Sequence, residues 1–108
     1  MSCYLVQADY TQQGVSGLAS SPQDRSGALA SLMESIGGKI HSLDICFGEF
    51  DVVIIMEASD DIEMASLSMA VGASGGVTNI HTPVLIPTSD GFAAAQNAKE
   101  ITFRPPGQ

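Results

Sequence analysis

Apolar and polar residues change their spacing several times along the chain, and each change marks an element. Cys3 to Thr11, mostly apolar at first and alternating from Val6 onward, reads as a strand that ends in the polar link Gln12-Gln13-Gly14. A stretch rich in Ser and Gly then reads as a loop leading to Ser21-Pro22-Gln23-Asp24. There Ser21 suits an N-cap, Pro22 the first helical position and Asp24 the positive end of the helix dipole. Ala28, Leu29, Leu32, Met33 and Ile36 recur at helical spacing until Gly37-Gly38, which tolerate the left-handed backbone that ends helices. Two strands follow, Ile40 to Phe47 and Phe50 to Ala58, and the Gly48-Glu49 link between them predicts a type II′ hairpin. In that register Phe47 faces Phe50, Ile45 faces Val52, Leu43 faces Ile54 and His41 faces Met56. Ser59-Asp60-Asp61-Ile62-Glu63 starts a second helix, which Gly72 and Gly75-Gly76 bring to an end. A fourth strand, Val77 to Ile86, contains Pro83 and so belongs at an edge or a bulge. Ser89-Asp90 suits the cap of a short helix through Phe92 to Ala98, before a terminal arm at Arg104-Pro105-Pro106-Gly107.

The order β-α-β-β-α-β predicts an α+β domain of ferredoxin-like type. With right-handed crossovers it becomes a four-stranded antiparallel sheet of order 4-1-3-2 with both helices on one face. Val6, Ala8, Leu43, Ile45, Val52, Ile54, Met56, Ile80 and Val84 form the face expected to meet the helices. The opposite face carries Leu5, Gln7, Asp9, Asp44, Cys46, Val53, Ile55, Glu57, Asn79 and His81. That mixture is too apolar to stay bare and too polar for a core, so a sheet from a second subunit is its expected cover.

Length and charge narrow the picture. At 108 residues the chain suits one domain, with 1–87 as the ferredoxin-like unit and 88–108 as its C-terminal helix and tail. Four Lys and Arg, scattered as Arg25, Lys39, Lys99 and Arg104, stand against twelve Asp and Glu for a net charge of −8. Nucleic acid and anionic membrane are therefore not expected partners. The start lacks a basic and apolar leader, and the longest apolar run, Val52 to Met56, is too short to span a membrane. With only Cys3 and Cys46, on strands not expected to be neighbours, a reducing cytoplasmic setting without a disulfide is the expectation.

Gly48-Glu49-Phe50-Asp51 resembles the Gly-Glu-Tyr-Asp element after which the GYD domain family is named. The likeness continues through Tyr4-Leu5-Val6, Thr11-Gln12-Gln13-Gly14, Ile36-Gly37-Gly38 and Glu57-Ala58-Ser59-Asp60-Asp61, covering about residues 3–87. It implies a dimeric α/β barrel made by sheet-to-sheet pairing, and little about activity. Phe50 stands where the family usually has Tyr, so no role of that hydroxyl carries over.

The chemistry on offer is sparse. His41, beside Met56 in the predicted register, reads either as a packed, hydrogen-bonded core histidine or as a proton carrier. His81, near Asn79 and within reach of Glu57 or Asp9, reads as an interface hydrogen-bonding group, a general base with a carboxylate, or a ligand of an interface metal. By strand parity the two histidines point to opposite faces, so they are not expected to share a metal within one subunit, and no C-x-x-C or H-x-x-x-H supports a closed zinc site. Met33 and Met56, with other methionines, either fill the core or line an adaptable pocket where Tyr4 or Tyr10 orients a ligand. Asp51 and Glu49 suit hydrogen bonding around the turn better than catalysis. The expectation is a homo-oligomeric module that binds a small molecule or a protein partner and needs no cofactor. The alternative is a cofactor-independent monooxygenase, isomerase or cyclase acting on a small apolar or aromatic substrate, with His81, His41 and Glu57 as the candidate catalytic groups.

Overall fold

The computed structural model describes every residue except Met1, Gln23, Arg25 and Gln108. The elements run β1 (Ser2–Tyr10), α1 (Gln12–Ser20), α2 (Ser26–Ser35), β2 (Lys39–Ile45), β3 (Val52–Ala58), α3 (Asp61–Ala73), β4 (Val77–His81), β5 (Val84–Leu85) and α4 (Thr88–Ala98). The architecture is α+β, with an antiparallel, unclosed sheet of order β2-β3-β1-β4 and the short β5 also on β1.

Strand periodicity sorts the sheet into two faces. Tyr4, Val6 and Ala8 of β1 and Val52, Ile54, Met56 and Ala58 of β3 are buried, and the residues between them are half-covered. Met33 of α2 and Met64 and Leu67 of α3 close over this face, with Leu29, Ile36, Leu43, Val71 and Ile80 at its margin. Each large side chain so buried contributes about 1.5–3 kcal/mol. Two glycines allow close approach: a Cβ on Gly14 would stand 2.2 Å from the Gly76 carbonyl oxygen, and one on Gly38 would stand 2.4 Å from that of Glu57.

Several expectations are corrected. The sheet has five strands among the described residues, not four, because Val77 to Ile86 splits around Thr82-Pro83. Pro83 has no N–H, yet its carbonyl accepts from Leu5 N at 3.0 Å and keeps that stretch on β1. The stretch after Gln12 is a helix, not a loop: Thr11 caps it by accepting from Gly14 N at 3.0 Å. Ser21 closes α1 through its N–H to the Gly17 carbonyl instead of opening the next helix, which begins at Ser26. Gln23, in the expected cap sequence, and Arg25 lie outside the described residues. The last helix starts at Thr88, before the expected Ser89-Asp90 cap, and has no side-chain cap bond.

The hairpin differs too. Ile45 pairs with Val52 and Cys46 N donates to the Asp51 carbonyl at 2.8 Å, but residues 47–50 leave the ladder and Gly48 lacks the positive φ of a type II′ turn. Asp51 accounts for this: its N–H donates to the Ala8 carbonyl at 3.0 Å and its Oδ2 accepts from Tyr10 N at 2.9 Å. Held to β1 in this way, the chain peels from β2, and Phe47 does not face Phe50 but stands fully exposed at 102%.

At the other end of β2 a bulge lies between Ile40 and Ser42, so Ile40, not His41, pairs with Met56. The extra residue keeps an isoleucine on the buried face and sends the imidazole outward. Ile45 and Val84 register with Val52 and Tyr4 as their parity requires. They sit beyond the helices, however, and stay 58% and 51% exposed.

Candidate functional site

The face of the sheet opposite α2 and α3 gathers most of the molecule's chemistry. Its centre is Leu5 of β1 with Val53 and Ile55 of β3, all half-exposed and aligned by the Leu5–Ile55 and Gln7–Val53 pairs. Cys3 and Leu85 extend the apolar strip through their own pairing. Polar groups flank this strip at two corners, each built by an irregularity in a strand.

The bulge on β2 makes the first corner. His41 Nε2 lies 3.1 Å from Glu57 Oε1, with the two side chains 41% and 28% exposed. Both belong to the open face, because Glu57 pairs with Cys3. His41 is therefore not the core histidine expected from a regular register.

The second corner depends on β4. Its register against β1 shifts between Gln7 and Asp9, and Asn79 absorbs the irregularity at φ 53°, a conformation that Asn tolerates better than most residues. Asn79 Nδ2 then donates to Asp9 Oδ2 at 3.0 Å, and its Oδ1 lies 3.2 Å from His81 Nε2. Asp9 accepts only, so the Asn79 amide nitrogen faces it and the amide oxygen is left for a proton on His81 Nε2. That tautomer frees Nδ1 to accept a proton. The His81 ring meets Phe50 edge-on, with centroids 5.2 Å apart at 66°.

Both histidines thus share one face, contrary to the parity expected from the sequence. His41 stands at the Cys3 end on one edge, and His81 pairs with Gln7 on the other. Four residue steps of β1 separate those positions, roughly 13 Å along the strand, so one ion cannot bridge them within a subunit. Among the described residues no group of three or more His, Cys, Asp or Glu could hold a metal ion.

The ligand-binding candidates lie elsewhere. Tyr4, Met33 and Met56 are in the core at 2%, 0% and 1% exposure, filling the space between sheet and helices. The Tyr4 hydroxyl donates to Asp61 Oδ1, and that bond, reinforced by burial, raises its pKa above the ordinary 10.0. Tyr10 is half-buried at the strand end held by Asp51. Of the signature, Asp51 ties β1 to the turn, while Gly48, Glu49 and Phe50 line a depression of about 420 Å³ with Gln7, Cys46, Phe47 and Val53. Both cysteines are free thiols.

Gln7 at the depression and the packing of Phe50 on His81 are features that no motif in the sequence marks. The signal for the bulges is nonetheless there: Ile40 and Leu43, like Val77 and Ile80, are apolar residues three apart within strands, where a regular strand spaces them by two. Among the described residues no helix is long and apolar enough to cross a membrane. Compared with known proteins, residues 4–95 match the family model of the GYD domain. No curated protein and no solved structure matches the chain.

Proposed function

The chain belongs to the GYD domain family, and from that premise we propose that it is a homo-oligomeric binding module whose sheet pairs face to face with that of a second copy. On this reading the fold is ferredoxin-like and the pair is a dimeric α/β barrel. The ligand, a small molecule or a short stretch of a protein partner, sits where the strip meets its polar corners. The supporting observation is the open face itself: Leu5, Val53 and Ile55 form a half-exposed strip on the face away from α2 and α3. Covering such a strip is the usual reason for its presence. Native mass spectrometry of freshly purified protein tests this, since it reads subunit number and retained ligand together. A dimer that Ile55→Glu converts to a folded monomer is the expected result. A wild-type chain that is monomeric at micromolar concentration would sink the reading.

A second reading, a cofactor-independent enzyme for a small apolar or aromatic substrate, is favoured by one observation. The Asp9–Asn79–His81 chain of contacts orients an exposed imidazole with Nδ1 free to take a proton beside the Phe50 ring. With the retained ligand as a lead to the substrate, His81→Gln should lower turnover at least about a hundredfold. Unchanged turnover would remove His81 from the chemistry.

A further inference from the structure

The C-terminal segment departs from the rest of the molecule. Every described residue from Pro83 to Gly107 is exposed, including Ile86 (66%), Phe92 (66%), Ile101 (70%) and Phe103 (76%). The radius of gyration is 17.5 Å and the longest extent 59 Å, whereas a compact chain of this length has a radius near ~13 Å. The helix α4 buries no residue, has 11 residues and lacks a side-chain cap. Helices shorter than about 12–15 residues are marginal in water unless an apolar face packs on something. Among the described residues this arm carries large apolar side chains, Phe92, Ile101 and Phe103, that stay exposed.

We infer that the arm, residues 88–107, crosses to a second copy of this chain and seats Phe103 and Arg104 in that copy's depression at the 46–50 turn. Charge supports a second copy as the occupant. Residues 88–108 balance Asp90 and Glu100 against Lys99 and Arg104, so the whole net charge of −8 rests on residues 1–87. Residues 99–108, with Lys99 and Arg104 against Glu100, are net positive and seek an acidic surface.

The receiving depression fits in kind. Phe47, the most exposed large hydrophobic among the described residues at 102%, and Phe50 supply aromatic faces, and Glu49 supplies a carboxylate. An incoming phenyl ring and guanidinium match these. In the structure the arm does not fold back into its own depression: no residue of 88–107 lines it, and Phe103 stays exposed. The arm leaves from β5, beside Cys3 and Tyr4 at the start of β1. The depression lies at the other end of the sheet, beyond Gln7 and Val53. The inference rests on the homo-oligomer proposed above and names a contact separate from the open strip.

The test uses full-length chains and the thiol already in the depression. Phe103→Cys in a Cys3→Ser background, treated with diamide, should give a covalent dimer through Cys46 of the other copy on a non-reducing gel. A disulfide closed within one chain, or none, overturns the inference. In parallel, Arg104→Glu should weaken the dimer roughly three- to tenfold by sedimentation equilibrium. Adding Glu49→Arg to that chain should restore it to within about twofold. Circular dichroism confirms that these surface variants fold, and unchanged assembly in Arg104→Glu also counts against the inference. The two proposals separate cleanly. A monomeric Ile55→Glu with no cross-linked dimer leaves sheet pairing standing and removes the arm; a cross-linked dimer with Ile55→Glu still dimeric does the reverse.

Discussion

Single side chains hold this fold where regular hydrogen bonding stops. Asp51 is the clearest, because its N–H and its carboxylate both bond to β1 at the point where β3 begins. Asp51→Ala leaves the half-buried Tyr10 N–H without its acceptor, a loss of about 1–3 kcal/mol. Urea denaturation should show it as a lower midpoint at unchanged slope, and an unshifted midpoint would mean that Asp51 is not the tie. Tyr4 offers a test of a different kind. Its buried hydroxyl donates to Asp61, which raises its pKa above 10.0. A raised native pKa means that the folded chain keeps a proton the unfolded chain releases. The stabilisation from this bond is therefore fully present below pH 10 and is lost as pH rises from there through the native value. Tyr4→Phe should lower stability at pH 8 by about 0.5–1.5 kcal/mol and flatten the alkaline decline of the wild type. Parallel pH profiles above pH 10 for the two proteins would show that Tyr4 does not carry that linkage.

At the scale of elements, the most legible parts of the sequence were those where two signals agreed. The apolar alternation of β3 and the helical spacing around Met33 predict burial that the core contains, and Asp60 caps α3 by accepting from Glu63 N at 2.8 Å. Strand irregularities were harder to place, because a period-two reading assumes no extra residue. The bulge at His41 shifted one end of β2, moved the imidazole to the open face and created its contact with Glu57. The helix α1 is hidden in the sequence for a related reason: Gly14, Gly17 and the serines lower its intrinsic propensity, while tertiary contacts form it. Thr11 N and Oγ1 donate to the Gly76 and Gly75 carbonyls at 3.1 and 2.7 Å, and Gly14 fits against Gly76 only because it lacks a Cβ. Two substitutions within α1 separate propensity from packing. Gly14→Ala should destabilise by more than about 2 kcal/mol through a backbone clash that cannot relax cheaply. Gly17→Ala, with nothing within 4 Å of the new Cβ, should be neutral or stabilising by up to about 1 kcal/mol. Equal thermal midpoints for the two variants would remove the close approach as the reason for glycine at position 14.

For the whole molecule the decisive facts are surfaces, and surfaces are where a single sequence says least about its partners. One sheet face is covered at its centre by α2 and α3, while the other keeps Leu5, Val53 and Ile55 half-covered. The arm adds Phe92, Ile101 and Phe103 to the exposed apolar surface. A body with a charge of −8 resists association at low ionic strength, so the apolar contacts must outweigh that repulsion in any assembly. Such a balance ties stability to concentration. If the second copy binds only folded chain, its presence at a hundred times Kd adds about 2.7 kcal/mol to the stability of each fold. For a domain near 100 residues, one kcal/mol moves the thermal midpoint by roughly 4–8 °C. Scanning calorimetry at low and high micromolar concentration should therefore show a midpoint that climbs by several degrees. Ile55→Glu, with its sheet face spoiled but its core intact, should melt at one temperature throughout. If the wild type also melts independently of concentration, neither the open face nor the arm is buried against a second copy, and both must be assigned to a different partner.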